Sequence, residues 1–286
     1  MDAQAMKVAA VLGSGTMGNG IAQVLAQTGF EVRMYDIADA QLAKGMAAIR
    51  ANLDKGVEKG KVAAADRDAA LARLSTTTDL AAAARGVDVV VEAVPEKLEL
   101  KQELFQAIGA MLGEGVLLAT NTSSLSISRI ASVTRHPGRV VGMHFFNPVH
   151  LMKLVEVVEA EQSAEPAVLA AMDLSRRMGK DPIRVKDAPG FASSRLGIAI
   201  GLEAMRMVEE GVASPADIDK AMVLGYGFPM GPLQLTDLVG LDVRLNIADY
   251  LYKQVGDRFL APGILRDKVA RGELGKKSGK GFYEWR

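Results

Sequence analysis

The chain reads as an α/β protein in which a doubly wound, mostly parallel sheet is followed by a domain of helices alone. Three observations predict this. Short apolar runs of strand length alternate with stretches of helical period as far as Lys186, the pattern of repeated strand–helix–strand units. The first run passes directly into a glycine-rich loop and then a helix. Beyond Lys186-Asp187-Ala188-Pro189-Gly190 the strand pattern stops and only helical periods continue. The boundary is therefore placed at Asp187, with a sheet domain over 1–187 and a helical domain over 188–286.

Met6 to Leu12 is a continuous apolar run, as expected of a strand buried on both faces. It leads into Gly13-Ser14-Gly15-Thr16-Met17-Gly18, and Ile21, Val24 and Leu25 then recur at helical spacing up to Gly29. This is GxGxxG between strand and helix, the arrangement of a Rossmann-type dinucleotide site. Gly13 permits the tight turn, Gly15 lets a pyrophosphate approach the backbone, and Gly18 lets helix and strand pack closely. Thr16 and Met17 open the helix whose free amides face the phosphates. Glu31 to Tyr35 forms the second strand, with Asp36 at its C-terminal end. A carboxylate there accepts the adenosine ribose hydroxyls and repels a 2′-phosphate, which favours NAD over NADP. The competing role for Asp36 or Asp39 is to cap the next helix.

Leu42, Met46, Ile49, Leu53 and Val57 define one face of a long helix, and Asn52, Lys55 and Lys59 lie on another. A second helix containing Leu71 and Leu74 returns, so the pair is a helical hairpin inserted into the sheet domain. Its basic face is either a solvated lysine surface or a site for a phosphate-bearing ligand. Strands are expected at Leu74–Thr77, Val87–Val94, Val116–Thr120 and Arg139–His144, with a helix from about Lys97 to Leu112. Glu165-Pro166 opens a helix that Gly179 ends, and Pro182–Lys186 is the last strand. In the helical domain Leu196, Ile200, Met207 and Val208 mark a long helix. Ser214-Pro215 starts another, and Gly231-Pro232 and Gly240 delimit two more.

The totals narrow the function. Thirty-four basic and thirty-four acidic residues cancel, so no electrostatic case exists for nucleic acid or an anionic membrane. The absence of cysteine excludes disulfides and thiolate metal sites, and three histidines without an HExxH pattern make no case for a metal. No apolar run reaches membrane-spanning length, and Val8–Leu12 ends in a glycine loop rather than a cleavage site, so a soluble cytoplasmic protein is expected.

Ligands of an open parallel sheet bind beyond the carboxyl ends of its strands. Gly13, Asp36, Glu96, Asn121, Ser123 and His144 all fall at or just past such ends. His144 stands in the run VVGMHFFNPVHLMKLVEVV, which returns through Asn147-Pro148 to Glu156. An imidazole exchanges protons near neutrality, and a carboxylate on its second nitrogen fixes the tautomer and stabilises the imidazolium. The plain alternative is a core histidine beside an edge-strand carboxylate.

GSGTMG at Gly13, NTSSL at Asn121, HFFNPVHLMKLVEVV around His144, KDAPGF at Lys186 and GKKSGKGFYEW at Gly275 together resemble the 3-hydroxyacyl-CoA dehydrogenase family over nearly the whole chain. The resemblance is nearest to the short bacterial 3-hydroxybutyryl-CoA dehydrogenases. It implies that His144 is the base that takes the 3-hydroxyl proton as hydride leaves C3 for the nicotinamide. It also implies that Glu156 holds His144 and that Ser123 hydrogen-bonds the substrate oxygen. Glu96, Lys101, Asn121, Asn147 and Lys277 match positions around NAD, and Asn52 and Lys59 match positions near coenzyme A. An acyl-CoA substrate and a homodimer formed through the helical domain follow from the same resemblance. One departure stands out: the family pattern PGF-x-x-Asn-Arg here ends in Ser194-Arg195, so a shorter hydroxyl replaces a substrate-binding amide. A dicarboxylyl substrate such as 3-hydroxyadipyl-CoA and a catalytically weak NAD-binding homologue are the alternatives within this fold. A Ser123-His144-Glu156 hydrolase is a further one, although no GxSxG elbow is present.

Overall fold

The computed structural model describes residues 1–285, which divide into a sheet unit, Met1–Ala188, and a helical unit from Pro189 onward. The sheet unit runs β1 (Val8–Leu12), α1 (Thr16–Gln27), β2 (Glu31–Tyr35), α2 (Asp39–Glu58), α3 (Ala64–Ala72), β3 (Leu74–Thr77), α4 (Leu80–Ala84), β4 (Val89–Glu92), α5 (Leu98–Met111), β5 (Leu117–Thr120), α6 (Ile127–Ala131), β6 (Val140–Phe145), β7 (Leu154–Glu159), α7 (Glu165–Arg177) and β8 (Asp181–Lys186). The helical unit contains α8 (Ser193–Glu209), α9 (Pro215–Tyr226), α10 (Pro232–Val239), α11 (Leu241–Val255) and α12 (Gly263–Ala270).

The eight strands are ordered β3-β2-β1-β4-β5-β6-β7-β8, parallel throughout except for the antiparallel pair β6–β7. Strand order reverses between β1 and β4, which opens the crevice where the glycine loop sits. Apolar residues from the central strands and from α1, α2 and α7 form one core: Val11, Val91, Ala119, Val141, Met143 and Phe145 pack with Ile21, Leu25, Ile49 and Leu174. Side chains alternate along a strand, so Gly142 and His144 face away from that core. A Cβ at Gly142 would meet Val158 Cβ at 2.7 Å and Ile127 Cδ1 at 2.9 Å, so glycine is required there.

Several elements differ from expectation at their ends, and two helices were missed. β4 is shorter than Val87–Val94, and β6 extends one residue past His144. Leu74 belongs to β3 and not to the returning helix, which ends at Ala72. α4 was not expected, because Leu-Ala-Ala-Ala-Ala carries no period; Asp79 starts it by accepting from Ala81 N and Ala82 N. α12, from Gly263, was likewise not anticipated. Among the described residues no helix is long and apolar enough to cross a membrane.

In the helical unit Ile198, Leu202, Met205, Leu233, Leu241, Leu251, Phe259 and Leu265 form a second core. Two buried carboxylates organise its polar interior. Asp219 accepts from Leu233 N and Gln234 N at the start of α10, and Asp237 accepts from Phe282 N, Tyr283 N and Trp285 Nε1. The phenol of Tyr283 donates to Asp219 at 2.7 Å, and burial with this bond pushes its pKa up.

Candidate active site

The glycine loop is built as its spacing requires. Gly13 has φ +99°, and a Cβ there would meet Ala93 O at 2.7 Å. A Cβ on Gly18 would lie 1.8 Å from Gly13 O, so only glycine lets α1 approach the loop. At Gly15 a Cβ would meet no protein atom within 4 Å. Packing does not demand that glycine, but a pyrophosphate drawn against the loop would. The residues therefore fit a dinucleotide. Asp36 lies half-buried at the end of β2, and its Oδ2 accepts from both Ser14 N and Ser14 Oγ at 2.8 Å. Its Oδ1 accepts from Ile37 N, and α2 is capped at Ala38, so Asp36 is not the helix cap. Its carboxylate holds the glycine loop to the end of β2.

The ends of β4 and β5 are joined by carboxylates. Glu96 accepts from Thr122 Oγ1, Ser123 N at 2.9 Å and Ser124 N at 3.3 Å, which fixes the Asn121–Ser124 turn. Beneath it Glu92, fully buried, accepts from Lys101 Nζ at 2.7 Å, Thr120 Oγ1 at 2.6 Å and Val94 N at 2.6 Å. Burial pushes the Glu92 carboxyl up, and Lys101, Thr120 and the Val94 amide pull it back. Lys101 was expected beside the cofactor. Its side chain is fully buried, and its ammonium lies between Glu92 and Glu96, 3.4 Å from the latter. The structure thus gives it the work of holding these two carboxylates. Asn121 Oδ1 accepts from Phe145 N at 2.8 Å and so ties the turn to the strand end that carries His144.

His144 and Glu156 are register partners across the antiparallel β6–β7 pair, on the same face. Nδ1 of His144 lies 2.7 Å from Glu156 Oε2, with the histidine side chain 7% exposed and that of Glu156 fully buried. The Phe146 ring packs on the imidazole at 4.5 Å between centroids. The connection out of β6 contains a cis Asn147-Pro148 bond, and Lys180 donates to Val149 O and to Met152 O at 2.9 Å. Burial and nearby Lys153 push the Lys180 pKa down, and burial and Lys180 do the same to His150.

A cavity of about 850 Å³ runs from Ser14, Gly15 and Thr16 between α1 and α2 to the Asn147–Leu151 loop. Asn52, Lys55 and Lys59 line it together with Lys44, Lys61 and His150, and no carboxylate does. The basic face of the inserted hairpin therefore looks into a cavity. Lys44 and Lys61 were not singled out from the sequence, because their convergence with Asn52 and Lys59 depends on how α2 packs. Glu92 was also missed, although a carboxylate inside VVVEAV is a legible signal of a buried pair.

Two expected residues lie in the helical unit. Ser194 is in the first turn of α8, and Lys277 makes an ion pair of 2.6 Å with Asp242. Among the described residues no group of three or more His, Asp or Glu side chains is placed to hold a metal ion.

This fold and its glycine loop define a dinucleotide-binding protein. The family model of the 3-hydroxyacyl-CoA dehydrogenase NAD binding domain matches residues 8–188, and that of the 3-hydroxyacyl-CoA dehydrogenase C-terminal domain matches 190–285. The chain belongs to the 3-hydroxyacyl-CoA dehydrogenase family and is an NAD-dependent enzyme of that family. It is 43% identical to a probable 3-hydroxybutyryl-CoA dehydrogenase of Bacillus subtilis, covering 96% of each chain. It is also 43% identical to a 3-hydroxyadipyl-CoA dehydrogenase of Escherichia coli, over 98% of this chain and 59% of that one. The crystal structure of (S)-3-hydroxybutyryl-CoA dehydrogenase PaaH1 from Ralstonia eutropha superposes with TM-score 0.95 at 41% identity, covering 99% of this chain and 100% of that one.

Proposed function

We propose that this enzyme reversibly oxidises (3S)-3-hydroxyacyl-CoA to 3-oxoacyl-CoA, with His144 as the base and 3-hydroxybutyryl-CoA as the reference substrate. The observation that carries the reading is the 2.7 Å His144–Glu156 pair at the C-terminal edge of the sheet, the edge that also bears the glycine loop and Asp36. Glu156 accepts from Nδ1, which sets the tautomer with the proton on that atom and the lone pair on Nε2. Nε2 takes the 3-hydroxyl proton in oxidation and returns it in reduction, and Glu156 stabilises the imidazolium between the two events. NAD supplies the hydride acceptor; Gly13, Gly15, Gly18 and the α1 N-terminus hold its phosphates, and Asp36 its ribose. Ser123, fixed through its amide by Glu96, orients the substrate oxygen. The lysine-lined cavity suits the phosphates of coenzyme A, with Asn52 and Lys59 among its walls. Asn147, Ser194 and Lys277 complete the cofactor and substrate contacts in this reading.

A dimer formed through the helical unit belongs to the same proposal. That unit exposes Leu196 at 63%, Leu224 at 73% and Tyr226 at 79%, apolar surface of the kind a second copy covers.

The decisive assay is NADH-dependent reduction of acetoacetyl-CoA, followed by loss of NADH absorbance. Consumption of NADH with formation of the 3-hydroxy thioester is expected. Release of free thiol without NADH would instead favour a hydrolase.

A further inference from the structure

Two of the three histidines face carboxylates: His144 lies against Glu156, and His136 Nδ1 is 2.7 Å from Glu114 Oε1. The third, His150, faces lysines. It is half-buried in the loop between β6 and β7 and lines the cavity of about 850 Å³ with Lys44, Lys55 and Lys59 of α2 and Lys61 beyond it. Every wall of that cavity belongs to the sheet unit. α1 contributes neutral groups to it, among them Asn19 and Gln23. Lys180 adds a further positive charge from behind the loop and is itself beside Lys153. Burial first, and Lys180 second, favour the neutral imidazole.

The ring is held at this wall. The buried Lys180 donates to the carbonyls of Val149 and Met152, which flank His150 and Leu151. A Cβ on Gly20 of α1 would lie 2.9 Å from Val149 Cβ, so helix and loop meet there with no room for a side chain. Opposite the ring, the lysines run along α2 from Lys44 to Lys59, about 22 Å at the rise of an α-helix. A row of that length exceeds one pyrophosphate. It suits a ligand with phosphates at more than one point, as coenzyme A has in its pyrophosphate and 3′-phosphate. Such a polyanion reverses the balance at His150, because a nearby negative charge favours the imidazolium. Histidine is the side chain whose charge changes near neutral pH.

We infer that His150 binds a phosphate of the coenzyme A end of the thioester and accepts a proton as that phosphate arrives, so that thioester affinity falls as pH rises through neutrality. The inference rests on the acyl-CoA reading above and adds the regulation of that site. The sign follows from linkage: the complex holds one proton more than its separate parts, so acid favours it.

The test follows the ring protons of the three histidines by NMR across pH, in the full-length enzyme with and without saturating coenzyme A. One ring is expected to hold its proton about tenfold more tightly when coenzyme A is bound. That signal should be missing from His150→Gln. By calorimetry the same variant should weaken coenzyme A by about tenfold near pH 6 and little near pH 8, the size of one hydrogen bond to a charged group. The phosphate monoester itself titrates near pH 6, and comparing two proteins with one ligand removes that contribution. A merely structural role would weaken coenzyme A by the same factor at every pH, which overturns the inference. So would a wild type in which no ring gains proton affinity, a measurement independent of whether the variant folds. A moving ring that persists in His150→Gln belongs to His136 or His144 and also overturns it. A shift produced by NADH and not by coenzyme A would give His150 to the dinucleotide phosphates, again against the inference. Failure of the wild type to reduce acetoacetyl-CoA with NADH would bring down the dehydrogenase reading itself, a result distinct from turnover with an unresponsive His150.

Discussion

At the scale of single residues, the proposed function rests on His144 for the chemistry and on Asp36 for the cofactor choice. A positioned base is worth about 10²–10⁴-fold. His144→Ala should therefore lose at least about a hundredfold in kcat, while NADH binding, followed by fluorescence titration, changes little. Turnover near that of the wild type would remove His144 from the mechanism. Asp36 holds Ser14 in the glycine loop, and in the proposed function it also presents a carboxylate to the ribose. Asp36→Ala should raise KM for NAD by about tenfold or more and shift the NAD-to-NADP preference toward NADP. An equal loss for both cofactors would mean that loop support is its whole role.

At the scale of elements, the ends of β4, β5 and α5 are joined by the buried pair Glu92–Lys101. Removing one partner of such a pair leaves a bare charge in the interior and costs about 3–5 kcal/mol. Lys101→Met should lose that much in urea unfolding. The pH dependence follows from the raised Glu92 carboxyl. Above the ordinary carboxylate range the folded state then binds more protons than the unfolded chain. The contribution of this group is accordingly present in acid and lost as pH rises through its folded pKa. Deleting Lys101 raises that pKa further, so the deficit of Lys101→Met should shrink toward acid pH. A deficit that does not vary with pH would show that Glu92 is not the group left uncompensated. Glu96 rests on the same lysine and fixes the amides of Ser123 and Ser124, so this variant should also raise KM for the thioester.

At the scale of the whole molecule, cofactor and assembly both feed into stability. A ligand that binds only the folded state adds about 2.7 kcal/mol at a hundred times its Kd. Saturating NAD should therefore raise Tm by several degrees, and NADP at the same concentration by much less. Equal shifts would count against Asp36 as the discriminating group. Sedimentation is expected to show a dimer, and a charge placed in the exposed apolar surface, as in Leu224→Asp or Tyr226→Asp, should move it toward monomer. A wild-type protein that sediments as a monomer at micromolar concentration would reject the dimer.

Much of this was determined by the sequence alone. GxGxxG after a buried run, Asp36 after the next strand, and the shift from mixed to purely helical periodicity are local patterns, and local sterics and burial set them. The outline of the sheet and the edge that bears the site followed from them. Ser194 and His144 could be named for the same reason, since each sits in a contiguous run. Only the tertiary structure decided which side chains meet. The antiparallel return of β7 sets His144 opposite Glu156, and no spacing in the sequence specifies that register. Folding turns Lys101 inward onto Glu92 and turns Lys44 and Lys61 toward a shared cavity. It also sets the Arg244 guanidinium against Gly197, with no anion beside it among the described residues. Desolvation and pairing between residues distant in sequence depend on how the layers pack. A charge pattern read along the chain cannot tell a solvated face from a lined pocket, whereas burial in the folded protein can.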